Sequence, residues 1–283
     1  MITRLPCQAY KNGGDSFHFM LMSDLHIGAA NTDKALIRRD LELARTHNAR
    51  IFMNGDLFDL ILPSDHKRFN PAVLDPCLRD TDAILNATLN MGCDMLRPYA
   101  DLIDMIGVGN HEVSTSKHHS VDIVSLLIER LSTPGHKIAH GGYTGAIVQP
   151  FRRKAGGGTN FSIWYHHGYG GSAPVSKGLI TFHRASTYVS GCDVLWLGHA
   201  HNRLCDHAVE LRIPPQGGRW KWHDVRHIMT GAYTGNGQAQ IDDIGNYRPN
   251  WAREKGFAPQ GRGGVLLKVV ITAGAEMTVE AVV

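Results

Sequence analysis

Residues 16–28 read SFHFMLMSDLHIG, an apolar run that stops at a serine, an aspartate and a histidine and is closed by a glycine. A run this short is strand-length rather than helix-length, and polar residues with Gly28 end it. The same pattern recurs twice. ARIFMN at 49–54 runs into Gly55-Asp56-Leu57-Phe58-Asp59, and a strand expected over about 102–108 runs into Gly109-Asn110-His111-Glu112. A helix is expected over about 33–47, N-capped by Thr32, with Leu36, Ile37, Leu41 and Ala44 inward. A second is expected over about 80–97, with Ile84, Leu85, Leu89, Met95 and Leu96 at helical spacing and Pro98 ending or kinking it. Strand, helix, strand, helix, strand argues for a parallel sheet in an α/β fold. In such sheets ligands bind beyond the carboxyl ends of the strands, which is where all three polar clusters fall.

Further along, Val121, Val124, Leu127, Ile128 and Leu131 mark a helix at about 119–131. Beyond residue 140 the texture turns β-rich, with strands expected at 144–149, 160–166, 193–198, 225–230, 264–271 and 276–282. RRKAGGGTN at 152–160 reads as a hairpin connection. Either one mixed sheet or two sheets packed face to face with helices outside fits this order. A single domain spanning 1–283 is expected.

The 283 residues are 43% hydrophobic and 19% charged, enough to bury a sizeable core. A net charge of +3 is too weak to argue nucleic-acid binding by itself. Five widely spaced cysteines with no Cys-x-x-Cys suggest neither a disulfide framework nor a zinc knuckle. The N-terminus lacks an apolar h-region, and no stretch approaches the roughly 20 apolar residues of a membrane span. A cytoplasmic location and no membrane partner are therefore expected.

Five clusters carry the chemistry. Asp24 and His26 leave the first strand and can converge on one ion. Asp56 ends the second strand, and its two oxygens can bridge two cations. Asn110 offers a neutral carbonyl oxygen, with the titratable His111 beside it. In Tyr165-His166-His167-Gly168 the alternation Ser162, Trp164, His166 separates His166 from Tyr165 and His167, and His166 is taken as the ligand. In Gly198-His199-Ala200-His201, two alternating histidines can reach two ions. Each cluster alone is as well read as a turn, a helix cap or a solvated loop. All five in this order describe a dinuclear site.

The ordered set DLH, GDLFD, GNHE, HHG, GHAH resembles the calcineurin-like metallophosphoesterase superfamily and spans residues 24–201. The resemblance implies a four-layer α/β/β/α sandwich with two central mixed sheets. It implies one divalent ion on Asp24, His26 and His201, a second on Asn110, His166 and His199, and Asp56 between them. Manganese is the expected metal, with Fe, Zn, Ni or Co as alternatives, since mixed Asn, Asp and His donors do not select among them. His111 matches a histidine that approaches the phosphoryl or leaving-group oxygen, and Asp59 an acid that orients it. The expected reaction is hydrolysis of a phosphate ester, mono- or diester, by a bridging hydroxide. The alternatives are a DNA nuclease using the same site and a non-catalytic metal-binding scaffold. Asp59-Leu60-Ile61 stands where protein Ser/Thr phosphatases of the superfamily carry Asp-Arg-Gly, which argues against that branch.

Secondary features are a Gly-rich loop at 168–174 with Lys177 and Arg184 nearby, a basic tip at Arg152-Arg153-Lys154, and a stretch mixing Arg248, Trp251, Arg253, Lys255, Phe257 and Arg262. Each reads first as an ordinary surface loop. The loop at 62–76, with His66, Lys67 and Arg68, could overhang the site.

Overall fold

The computed structural model describes residues 1–11, 13–62, 69, 71–170, 176–212, 220–235, 260–272 and 276–282. The elements in chain order are β1 (Ile2–Arg4), β2 (Gln8–Tyr10), β3 (Ser16–Met22), α1 (Lys34–Thr46), β4 (Arg50–Met53), α2 (Ile84–Leu96), β5 (Ile103–Gly107), α3 (Asn110–His119), α4 (Ile123–Leu131), β6 (Ala139–Gly142), β7 (Thr144–Arg153), β8 (Gly158–His166), α5 (Leu179–Ser186), β9 (Val194–Leu197), β10 (Leu204–Arg212), β11 (Lys221–Met229), β12 (Val265–Ile271) and β13 (Met277–Val282).

Two mixed sheets form. The six-stranded sheet runs β13-β12-β3-β4-β5-β6, with β3 to β6 mutually parallel and β12 and β13 antiparallel at one edge. The seven-stranded sheet runs β1-β7-β8-β9-β11-β10, with β2 also on β7. Its β8, β9 and β11 are parallel, and β10 closes the edge as an antiparallel hairpin with β11.

Alternation along β3 explains how the sheets are covered. Met20 and Met22 point to a cluster shared with Ile37, Leu41 and Ala44 of α1, Leu89 and Leu96 of α2, and Val124 and Leu127 of α4. Phe19 and Leu21 point the other way, into a cluster with Ile147, Phe161, Ile163, Tyr165 and Trp196 of the second sheet. On the far face of that sheet, Phe182 of α5 packs with Leu195, Leu197, Val225 and Met229. Apolar side chains thus fill both faces of each sheet, and ring pairs such as Phe19–Phe161, with centroids 5.1 Å apart, cross between them.

Local departures from expectation have local causes. Asp33, not Thr32, caps α1: its carboxylate accepts from Leu36 N at 2.9 Å, while the Thr32 hydroxyl donates to the His26 carbonyl. The helix expected from about 80 starts at Ile84. The helix expected over 119–131 is α4, which starts at Ile123; the unexpected α3 precedes it and ends at Ser120, whose φ is +54°. The stretch 236–259, with most of the mixed basic and aromatic residues, lies outside the described residues, as do 63–68 and 171–175. Among the described residues no helix is long and apolar enough to cross a membrane. All five cysteines are free thiols.

Candidate metal centre

The carboxyl ends of β3, β4 and β5 in one sheet, and of β8 and β9 in the other, meet at one place. The loops after β3 and β4 run side by side: Asp24 N donates to Gly55 O, His26 N to Asp56 O and Ile27 N to Leu57 O, at 3.0, 3.1 and 2.8 Å. The loop after β5 presses against them through two glycines. A Cβ on Gly55 would lie 2.4 Å from Gly109 N, and one on Gly109 would lie 2.1 Å from Asp56 Oδ1. Neither position has room for a side chain.

Backbone conformation singles out the same residues. Asp24, His26, Asp56, His199 and His201 all have φ between +49° and +66°, five of the eight non-glycine residues with positive φ among the described residues. That region is costly for residues with a Cβ and persists only where the surroundings enforce it. The expected alternation beyond a strand end is therefore not what converges Asp24 with His26. Left-handed turns aim them.

Three donor groups result, each with its ligand atoms within 4.8 Å of one another: Asp24, His26 and His201; Asp56, His167 and His199; and His26, Asp59 and His111. His201 Nε2 lies 3.2 Å from His26 Nε2 and 3.4 Å from Asp24 Oδ1. Asp24 is fully buried, and its carboxylate also accepts from His199 N. Behind it, the Ser23 hydroxyl donates to Asp24 and lies 2.6 Å from the Thr230 hydroxyl, to which Trp196 donates at 3.1 Å.

In the fourth cluster it is His167, not the expected His166, whose ligand atom joins a donor group. His166 follows Ser162 and Trp164 onto the outer face of the seven-stranded sheet, with its ring 6.0 Å from Trp164 and its Nδ1 accepting from Gly168 N. His167 shares the inner face with buried Tyr165 and is itself fully buried. Its Nδ1 donates to Asn54 O at 2.7 Å, which turns Nε2 toward Asp56 Oδ2, 3.2 Å away. Asn54 also donates from Nδ2 to His166 O at 2.9 Å, so one residue of the six-stranded sheet joins β8 of the other.

Glu112 is the residue whose role the sequence reading missed. It is buried, and its carboxylate accepts from the backbone N–H of Asp56, Phe58 and Gly109 at 3.0, 3.0 and 2.8 Å. It thereby ties the β4 and β5 loops together. The signal was present as the acidic third residue of a helix start, a capping arrangement.

The electrostatics call for positive charge. Burial works against a charged His26, but Asp59 and Asp56 prevail and hold its pKa at about 9. Burial likewise opposes charge on His167, and Asp56 raises it to about 9. Asp56 sits well below its usual range because His167 and its neighbouring histidines outweigh the cost of burial. His199 is pushed down by burial and by His167, which favours the neutral, ligating ring. Asn110 Oδ1 is buried without a hydrogen bond, and His167 Nε2 makes none of good geometry although Asp56 Oδ2 lies 3.2 Å away. Buried polar atoms are rarely left so, and a cation is the partner that suits a carbonyl oxygen and an imidazole lone pair together. The residues fit divalent ions.

Asp59 Oδ1 lies 3.3 Å from His111 Nδ1 and 3.5 Å from His26 Nδ1, so the acid serves two histidines rather than one. Lys177 and Arg184, exposed side chains of the second half, make no ion pair here with the donor groups.

No family model matches the chain, and no curated protein does. Among solved structures it is similar to GAP50, the anchor in the inner membrane complex of Plasmodium, at 10% identity over 94% of this chain and 84% of that one, with a TM-score of 0.40. It is similar to the metallophosphoesterase from Sphaerobacter thermophilus at 14% identity, covering 95% and 89%, with a TM-score of 0.34. It is similar to the calcineurin-like phosphoesterase YfkN from Bacillus subtilis at 13% identity, covering 94% and 91%, with a TM-score of 0.38. Likenesses this loose carry no weight for chemistry, which rests on the donor groups themselves.

Proposed function

We propose that the chain hydrolyses phosphate esters at a dinuclear centre, with one ion on Asp24, His26 and His201, the other on Asn110, His167 and His199, and Asp56 between them. The observation that carries this reading is the pair of buried donor groups meeting across two sheets, with Asn110 Oδ1 buried and without a hydrogen bond. Divalent ions, when bound, supply the charge that offsets phosphoryl oxygens and make a water nucleophile available near neutral pH.

The protein's own groups do the rest. Asp56, grouped with His167 and His199, has its Oδ1 fixed by His111 N at 3.0 Å. Glu112 keeps the Asp56 and Gly109 backbones in register without touching substrate. His111, its side chain 14% exposed, has Nδ1 turned to Asp59. An imidazole so oriented can deliver a proton to a departing alkoxide. Asp59 keeps the ring in that tautomer.

The test is a metal-by-substrate screen of the purified chain. Mn, Ni, Zn and Mg would each be offered with aryl phosphomonoester, aryl phosphodiester, cyclic nucleotides, and single- and double-stranded DNA. Turnover of at least one ester, abolished by chelator, is the expected result. Two bound ions with no turnover of any substrate would sink the reading in favour of a scaffold.

A further inference from the structure

A row of rings lies beside the donor groups. Tyr169 lines one depression with His199, Thr181 and Met229. Its ring lies 5.4 Å from that of His166, His166 lies 6.0 Å from Trp164, and Trp164 lies 6.1 Å from Tyr188. The interplanar angles are 85°, 35° and 82°, so no two neighbours in the row are parallel-stacked. The row closes on itself, since the Tyr188 hydroxyl lies beside that of Tyr169; Tyr169 is 41% and Tyr188 63% exposed.

Exposed aromatic rings gathered beside a candidate active site need a reason, because scattered surface apolar residues are common but contiguous ones mark contacts. The row carries two phenol hydroxyls and an imidazole rather than aliphatic chains, which suits a flat, polar-edged guest better than an acyl chain. Nucleobases are such guests, and every base has a π-face to offer an aromatic side chain. The row begins in the depression that His199 lines, so a base resting on Tyr169 would carry its phosphate toward the donor groups.

We propose that Tyr169, His166, Trp164 and Tyr188 form a base-stacking platform, and that the ester taken by this site is a nucleotide ester. The proposal rests on the phosphoesterase reading for its chemistry but not for its binding. The organic half of the substrate is recognised by ring faces, and the phosphate by the centre. His166, which lies outside the donor groups, is here a platform residue.

The test compares two diesters with the same leaving group, thymidine 5′-(4-nitrophenyl) phosphate and methyl 4-nitrophenyl phosphate, in saturating Mn. The quantity read is the ratio of their kcat/KM values. Base stacking corresponds to about 5- to 150-fold per base. The wild type should favour the thymidine ester by at least about 5-fold, and the double variant Tyr169→Leu/Tyr188→Leu should bring the ratio close to one. A ratio near one in the wild type, or a ratio the double variant leaves intact, overturns the proposal. Binding is read separately in chelator, by quenching of tryptophan fluorescence with thymidine 5′-monophosphate. Saturable quenching that the double variant weakens supports the platform, and its absence overturns it. If neither ester is hydrolysed, the phosphoesterase reading fails while quenching still decides the platform.

Discussion

Nδ1 of His167 lies 2.7 Å from the carbonyl oxygen of Asn54, a contact that joins the two sheets and fixes which ring nitrogen faces Asp56. A ligating histidine held through its other nitrogen by a backbone carbonyl is a recurrent device for setting ring orientation and basicity. His167→Ala should therefore weaken metal binding by more than about 100-fold, since losing even an outer partner costs 10–100-fold. His166→Ala should keep both ions. Metal content by mass spectrometry after dialysis checks this, and equal losses in the two variants would count against the assignment.

His111→Ala should lower kcat by about 10²- to 10⁴-fold, the usual worth of a positioned proton donor, while two ions remain bound. Asp59→Asn should lower kcat less and also loosen the site served by His26, because the same carboxylate lies 3.5 Å from His26 Nδ1. Steady-state kinetics with parallel metal analysis separates the two. Loss of metal in His111→Ala would show the histidine to be a ligand.

The glycines between the loops predict a steric result. Gly109→Ala places a methyl 2.1 Å from Asp56 Oδ1 and 2.5 Å from Asp56 N, against atoms that Glu112 already pins. The β4 and β5 loops must part, at a cost of about 1–3 kcal/mol, or a loss of several degrees in Tm. The activity loss should exceed what that destabilisation explains. A variant with wild-type Tm and wild-type kcat/KM would refute the close approach.

Stability without metal should fall with rising pH. His26 and His167 have folded pKa values of about 9, raised by Asp59 and Asp56 against the opposing effect of burial. Their contribution is fully present below the unfolded value of about 6.5 and is lost as pH rises through about 9. Glu112, raised to about 7 by burial and by Asp56, contributes in the same direction between about 4.5 and 7. Asp24 and Asp56, both lowered, contribute above their unfolded value and lose that contribution in acid. In chelator, Tm should therefore drop from pH 6.5 to 9. Saturating Mn should offset the drop, since ions bind the deprotonated rings. A Tm that climbs over that interval in chelator would contradict the electrostatics.

Much of the framework was legible in the sequence because hydrophobic runs and polar stops fall at the same boundaries. SFHFMLM, RIFM and VLWL are strands because nothing else buries runs so short and so apolar. The donor residues were legible because they follow those strands. What escaped was what apolar periodicity does not mark. α3 has almost no apolar face, with only Glu112 and Thr115 buried. β10, at a sheet edge, buries none of its residues fully. The face of His167 was readable after all: Phe161, Ile163 and Tyr165 are the buried partners on their strand, and His167 continues that inner series. The positive φ angles of the donor residues were not readable, because they follow from the packing of three loops and not from any one of them.

The proposed donors come from both sheets, with Asp24, Asp56 and Asn110 following strands of one and His167, His199 and His201 following strands of the other. The centre is therefore a gauge of the distance between two halves of the core. Anything that wedges the sheets apart, such as a larger side chain opposite Phe19 and Phe161, would act on the site from within the core by changing the spacing of the donor groups, without touching a single donor. Conversely, loading the centre should rivet the halves together, so that amide exchange slows along β4 and β8 well beyond the loops that bear the donors.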